Sequence, residues 1–233
     1  MSEIAKPPGK DELRRHLEWL TKLRGREAES GTPPRLFEVK SWQARRLARG
    51  YADLAALPRC RKATTFFLED LYGPKDFSGR DAAMLRIYPV MVRMLPESAV
   101  ETAALAIEVD ALSEDLDRRL AAALDAGALD ESSYGRAYRD SATPEERRRQ
   151  IALIDAVGRR LDLLVKKRMI YSTLKLMRQP AKLAGLTELQ GFLERGFEAF
   201  REMNGADAFL ATIVARETEI LNRLFSGHPS PFE

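Results

Sequence analysis

The stretch ESAVETAALAIEVDALSEDLDRRLAAALD, residues 97–125, decides the fold class. Its large apolar residues recur at spacings of three and four, which is the period of one face of an α-helix. They are Leu105, Val109, Leu112, Leu116 and Leu120. Neither proline nor glycine interrupts this pattern, and Gly127 supplies a natural stop. The stretch therefore predicts one long helix whose apolar face must pack against other helices.

The segments on either side carry the same helical signals. The clearest helix start is Thr143-Pro144-Glu145-Glu146, which combines an N-cap, a first-turn proline and acidic residues. Besides residues 97–125, the predicted helices cover residues 11–24, 38–57, 60–72, 78–95, 131–139, 144–168, 187–203 and 207–225. The helix from 144 could continue, bent, to Arg178, or residues 169–177 (MIYSTLKLM) could form a short strand.

These elements predict an all-α protein, a single compact multi-helix bundle of about eight helices. The bundle spans residues 11–226, with flexible tails at 1–10 and 227–233 and a surface loop at 25–34. Short connections between successive helices favour antiparallel neighbours, and hence an up-and-down or orthogonal bundle.

The composition limits the compartment and the class of protein. With 233 residues and 45% apolar residues, the chain can bury a core without metals or disulfides. Cys60 is the only cysteine, which fits a reducing compartment. Residues 1–15 have no apolar core like that of a signal peptide, and no run approaches the roughly 20 apolar residues that a membrane span needs. We therefore expect a cytoplasmic protein with no membrane partner.

Charge is unevenly distributed along the chain. Residues 1–62 carry fifteen Lys/Arg against eight Asp/Glu, although the net charge of the whole chain is only +3. A basic region can contact phosphate, so non-specific nucleic-acid binding through the N-terminal third is one hypothesis. In a chain with 31% charged residues, solvated helix faces are the more ordinary explanation, and we do not expect nucleic acid to be a partner.

Some ionisable residues fall on the apolar side of their predicted helices. On a helical wheel, Glu217 lies within the apolar arc of helix 207–225, and Arg168 continues the stripe of Val157, Leu161 and Leu164. The full set of inward-facing candidates is Asp70, Arg80, Asp81, Glu108, Arg168 and Glu217.

Burial of an isolated charge is costly, so these groups should be neutralised. They could form an Arg–carboxylate network that fixes the register of the helices. Alternatively, Arg80 and Arg168 could bind a small anionic ligand in a pocket, with Glu217 or Asp70 orienting it. The residues leave both interpretations open.

Known catalytic and cofactor motifs are absent from the sequence. It contains no GxGxxG, P-loop, CxxC, HExxH or GxSxG motif, and neither of its two histidines belongs to a Glu-x-x-His pair. We therefore expect no cofactor and no metal, and the catalytic residues, if any, stay unknown.

The leading hypothesis is a binding or interaction module, for which a homodimer is one conceivable assembly. The alternative is a small-molecule enzyme that uses Asp70, Glu108 and Glu217 in a helical cavity.

Residues 66–96, FFLEDLYGPKDFSGRDAAMLRIYPVMVRMLP, carry a resemblance to a known family. This stretch resembles a segment of an uncharacterised family of bacterial hypothetical proteins. The resemblance implies a bacterial, cytoplasmic origin and brings no assigned activity or catalytic residue.

Overall fold

The computed structural model describes residues 9–30, 35–71 and 78–233, without the side chains of residues 25–30, 78–82, 91 and 94. Within these ranges the protein is all-α, with twelve α-helices, one π-helical turn and no strand. The predicted fold class is confirmed, and the number of helices is higher than the eight expected.

The helices follow one another with short connections. They are α1 (Lys10–Ser30), α2 (Leu36–Gly50), α3 (Ala52–Ala56), α4 (Pro58–Phe66), the π-turn (Phe67–Leu71), α5 (Ser78–Met94), α6 (Glu97–Ala123), α7 (Glu131–Ser141), α8 (Pro144–Val165), α9 (Arg168–Leu176), α10 (Arg178–Leu183), α11 (Thr187–Met203) and α12 (Asp207–Phe225).

Local sequence signals explain where several helices begin and end. Thr143 caps α8 in a reciprocal capping box with Glu146, and Asp130 caps α7 in the same way with Ser133. Asn204 ends α11 in the left-handed conformation, with φ of 51°.

Helix α6 is the centre of the bundle and packs against α1, α2, α7 and α8. The buried apolar residues form three groups, and α6 contributes to the second and the third. The first includes Phe66, Phe197, Phe200 and Phe209, the second includes Leu13, Leu17, Leu20 and Ile107, and the third includes Val39, Leu120, Tyr134 and Leu224. Residues from the first and third groups enclose the polar cavity described below.

The extra helices arise where predicted helices are interrupted. The helix predicted over 38–57 breaks at Tyr51 (φ −120°, ψ 18°), and the one predicted over 60–72 changes into the π-turn at Phe67. The helix predicted over 144–168 ends at Val165, because Lys167 is extended (φ −84°, ψ 101°). Residues 169–176 are helical, so the alternative strand is wrong.

The structure describes the predicted surface loop and the two predicted tails to different extents. The surface loop expected over 25–34 is wrong for residues 25–30, which continue α1, while residues 31–34 lie outside the described ranges. Of the N-terminal tail predicted over 1–10, residues 1–8 also lie outside the described ranges. In the C-terminal segment 227–233, the ring of Phe232 packs 5.4 Å from Trp42 and 5.9 Å from Tyr134.

None of the described helices combines the length and the apolar character that a transmembrane segment requires.

Candidate functional site

A cavity of about 110 Å³ lies between α2, α6, α7, α8 and α12. Its polar wall consists of Gln43, Arg46, Tyr51, Thr64, Ser113, Asp117, Tyr134, Tyr138, Arg147, Gln150 and Glu217. Its apolar wall consists of Leu47, Leu54, Phe67, Leu68, Ile151, Ile154, Phe209 and Ile213. A small interior site with this mixed lining can hold a ligand that is partly polar and partly apolar.

Arg147 is the most unusual residue of this wall. Only 3% of its surface is exposed. Its Nη1 donates a long hydrogen bond of 3.4 Å to Oε1 of Gln150, and its guanidinium carbon lies 4.1 Å from the centre of the Tyr138 ring. Its Nε and Nη2 have no hydrogen-bond partner, and no carboxylate of the described residues forms an ion pair with it. Arg147 is therefore a buried cation with unused donors facing a cavity.

The position of Arg147 follows from the start of α8. The capping box and Pro144 fix the first helical turn, so the direction of every later side chain is set. Arg147 precedes Ile151 by four residues and Ile154 by seven, and both isoleucines line the cavity. The three residues therefore lie on one face of α8.

Asp117 of α6 is a second ionisable group of the cavity without an ion-pair partner among the described residues. Its Oδ1 accepts a hydrogen bond of 3.0 Å from the amide of Gln43, whose Nε2 also lies 3.2 Å from the Tyr134 hydroxyl. Burial raises the pKa of Asp117 above its ordinary value, although the hydrogen bond from Gln43 and the charges of Lys40 and Arg147 act in the opposite direction. The amide of Gln43 thus favours the carboxylate form but carries no charge to pair with it.

Arg46, Tyr51 and Glu217 form a polar corner of the cavity in which, among the donors of Arg46, Nε has no hydrogen-bond partner. Arg46 donates to both oxygens of Glu217, at 2.5 and 3.0 Å, and the Tyr51 hydroxyl donates to the same carboxylate at 2.7 Å. Burial alone would lower the pKa of Arg46, but the Glu217 carboxylate outweighs it and the pKa is raised. Burial and then the same carboxylate raise the pKa of Tyr51. The charges of this corner thus neutralise one another.

The aromatic end of the cavity supplies neutral hydroxyl groups. Tyr134 stacks on Trp42 with 4.2 Å between ring centres, and Tyr134 and Tyr138 lie 5.8 Å apart. Burial raises the pKa of both phenols, so each keeps its proton at neutral pH.

The three carboxylates predicted as a catalytic set lie in three different ion pairs. Glu217 pairs with Arg46 and lines the cavity. Glu108 is buried against α1 and α8, where it contacts Arg149 and lies 3.7 Å from Nε2 of His16. Asp70 in the π-turn pairs with Arg195 of α11 at 2.7 Å. Of the three, this cavity contains Glu217 alone.

The remaining predicted site residues have different outcomes. Arg168 is exposed, so its expected burial is wrong. The physical reason is the extended backbone at Lys167, which ends the register of α8 and makes Arg168 the first residue of α9. Arg80 and Asp81 lie within α5, but their side chains are outside the described part of the structure.

The wheel reasoning missed Arg147, Asp117 and Glu114. Glu114 is 3% exposed and binds Lys40 at 2.7 Å, Arg118 at 3.0 Å and Arg24 at 3.4 Å. Burial opposes ionisation of this carboxyl group, but the three cations prevail and lower the pKa of Glu114.

A signal for two of these residues was present in the sequence. Arg147 lies four residues before Ile151 and seven before Ile154, and therefore on the same helical face. Glu114 likewise lies on the same helical face as Ile107 and Ala111.

The fold and the cavity define an all-helical domain with a polar interior site. The chain belongs to a family described as a domain of unknown function (DUF8198), which matches residues 22–231. Membership of an uncharacterised family, predicted from residues 66–96, is thereby confirmed. Comparisons with curated proteins and with solved structures give no significant match.

Proposed function

We propose that this protein is a helical binding domain for a small monocarboxylate, whose carboxylate group pairs with Arg147 inside the cavity. The observation that carries the proposal is the state of Arg147, which is 3% exposed, lines the cavity and has two nitrogen atoms without partners. A buried cation without a counter-ion is destabilising by several kcal/mol. A carboxylate with two oxygens would satisfy both nitrogens through charge-assisted hydrogen bonds.

The charges around the cavity favour one negative charge on the ligand. Glu217 is already neutralised by Arg46, whereas Arg147 forms no ion pair with a carboxylate of the described residues and interacts with Asp117 only beyond ion-pair distance. Asp117 stands on the same wall and would repel additional negative charge. A monoanion therefore fits better than a doubly charged phosphate.

The size and the apolar wall limit the rest of the ligand. An apolar cavity of roughly 150 Å³ admits benzene. A cavity of about 110 Å³ is smaller, so we expect a ligand of about four to six non-hydrogen atoms. Ile151, Ile154 and Ile213 would contact its hydrocarbon part. Short-chain carboxylates such as propionate and butyrate have these properties.

The inward-facing charges were expected either to form a structural ion-pair network or to bind a ligand. In this proposal each of these roles belongs to a different part of the cavity. Arg46 and Glu217 join α2 to α12 and act as a structural ion pair, while Arg147 serves the ligand. The compartment we propose is the bacterial cytoplasm, which the buried free thiol of Cys60 suits.

The proposal is tested by calorimetric titration with acetate, propionate, butyrate and inorganic phosphate. Ligands of this size have limited binding energy, so we expect dissociation constants of about 10 μM to 1 mM for the preferred carboxylate. The variant R147M should weaken binding by at least about tenfold, because it removes the cation and leaves a smaller apolar side chain in its place. The matched control is R148Q, since Arg148 is the exposed neighbour on the same helix.

Each outcome has a definite meaning. Carboxylate binding that R147M abolishes and R148Q preserves supports the proposal. Undetectable binding of all three carboxylates, or equal binding by the wild type and R147M, overturns it. Preference for phosphate would refute the monoanion argument.

A further inference from the structure

Helices α9 and α10 carry a repeated pair of residues, one basic and one apolar. The pairs are Arg168-Met169, Lys175-Leu176 and Lys182-Leu183, each seven residues after the last. Seven residues are close to two helical turns, so corresponding members of the pairs lie on the same side of a helix. The repeat predicts an apolar row beside a basic row.

The backbone keeps the two rows in register. Met177 between the helices remains right-handed, with φ of −74° and ψ of −7°. Its amide donates to the Thr173 carbonyl at 3.0 Å, and the Ala181 amide donates to the Met177 carbonyl at 2.8 Å. Helical hydrogen bonding therefore bridges the boundary between α9 and α10.

One face of this helical segment packs on the core, and the apolar row faces outward. Ile170, Tyr171 and Leu174 pack against the buried residues around Phe200, and Ala181 is buried. The outward residues are among the most exposed large apolar side chains of the described chain, with Met169 at 80%, Leu176 at 77% and Leu183 at 88%. The row is therefore not needed to fill the core.

The charge of this surface is positive. Residues 163–187 contain six Lys/Arg and no Asp/Glu. Asp162 pairs with Lys166 and Glu194 pairs with Arg178, whereas Lys167, Arg168, Lys175 and Lys182 form no ion pair with a carboxylate in the described ranges. Lys175 instead lies 4.4 Å from the centre of the Tyr171 ring. The basic row thus keeps its charge available to a partner.

From these observations we infer that α9 and α10 form a docking surface for an anionic phospholipid bilayer. Helices that lie in a membrane interface place apolar side chains among the acyl chains and Lys or Arg beside the head groups. Anionic lipids attract such cations, and the protruding Met169, Leu176 and Leu183 match the apolar half of this arrangement.

Other partners fit the two rows less well. A nucleic acid would contact the cations but would leave Met169, Leu176 and Leu183 in water. A coiled coil requires two apolar positions in each seven residues, usually three residues apart. The residues three positions after Met169 and Leu176 are Ser172 and Gln179, which are polar, so this surface does not match a coiled coil. The earlier expectation of no membrane partner rested on the missing transmembrane segment, which a surface helix does not require.

The test is sedimentation of the full-length protein with phospholipid vesicles at low salt. We expect binding to vesicles of equal parts phosphatidylcholine and phosphatidylglycerol, and little binding to pure phosphatidylcholine. The variant M169S/L176S/L183S should lower the affinity at least about tenfold, and R168Q/K175Q/K182Q should do the same. The control is F37S, because Phe37 is 67% exposed on the distant helix α2.

We expect both triple variants to fold, because all six side chains are exposed, and circular dichroism checks this. Failure of the wild type to bind anionic vesicles overturns the inference, as does binding that the apolar triple variant leaves unchanged. If light scattering instead shows a dimer that the same variant dissociates, the surface is an interface between two copies of the chain, and the inference is wrong.

Discussion

Arg46 on α2 and Glu217 on α12 form a two-pronged ion pair, and the hydroxyl of Tyr51 donates to the same carboxylate at 2.7 Å. The side chain of Arg46 is 12% exposed and that of Glu217 is 17% exposed. The pair therefore connects two helices that are far apart in the sequence, in surroundings where water screens little.

Removal of one partner from this pair should destabilise the protein. R46M leaves the Glu217 carboxylate buried without its cation, and we expect the free energy of unfolding to fall by about 3 kcal/mol. Urea denaturation measures the change. R45Q, at the exposed neighbour, should change stability by less than about 0.5 kcal/mol. The double variant R46M/E217M should be more stable than R46M, and a double variant at least as unstable would contradict the proposed coupling.

Arg147 should behave in the opposite way. In the absence of ligand, R147M replaces a buried cation that has no ion pair with a shorter apolar side chain, so we expect stability to rise by about 1–3 kcal/mol. A gain in stability together with a loss of ligand binding is typical of a residue retained for function. Urea denaturation of R147M and of the exposed control R148Q tests this, and marked destabilisation by R147M alone would indicate a structural role.

Asp117 should make stability depend on pH. Burial raises its pKa in the folded protein above the ordinary 3.8, so the folded state holds the proton more tightly than the unfolded chain does. The stabilisation is then fully present below that ordinary value and is lost as the pH rises through the folded pKa. D117N cannot ionise, so its stability relative to the wild type should increase as the pH rises from 4 to 7.

Unfolding curves at several pH values measure this difference. D140N is the control for removal of a carboxylate, because Asp140 is exposed on α7 and does not line the cavity. A D117N difference that stays constant from pH 4 to 7 would contradict the raised pKa of Asp117.

Replacement of each of two glycines in α11 by alanine should have opposite effects on the stability of the protein. A Cβ atom at Gly196 would lie 2.7 Å from Cζ of Phe66, a buried ring that cannot move freely, so G196A should destabilise by about 1–3 kcal/mol. At Gly191 the nearest atom, at 3.1 Å, is Nη1 of the flexible Arg195. G191A should therefore stabilise by about 0.5–1 kcal/mol through helix propensity. Thermal unfolding of G196A and G191A measures the two changes in stability. Similar changes in both variants would argue against this packing of α11 on α4.

The sequence predicted helices where local signals were strong. The predicted bounds 187–203 and 207–225 agree with α11 and α12, because Asn204-Gly205 permits the left-handed turn between them. The break at Tyr51 directly follows Gly50, a local signal that the predicted helix 38–57 overlooked. The break at Lys167 has no glycine or proline beside it, so it depends on how neighbouring helices pack and leaves no mark in the local pattern.

The same difference between local signals and tertiary packing explains which site residues could be predicted from the sequence. The wheel placed Glu217 correctly because α12 is continuous around it. It misplaced Arg168 because the register of α8 was assumed to continue past Lys167. Arg147 lies in the first turn of α8, where a charged residue is ordinarily exposed, and its burial depends on the packing of Tyr138 and α6 around it. The long-range partner of Glu217, Arg46, could not be deduced from either helix alone.

A crystal structure of the protein soaked with propionate tests the central claim most directly. The account predicts a bound carboxylate whose two oxygens lie within hydrogen-bond distance of Nε and Nη2 of Arg147, with the hydrocarbon end towards Ile151 and Ile154. Ordered water alone beside Arg147, or propionate bound elsewhere, would contradict it.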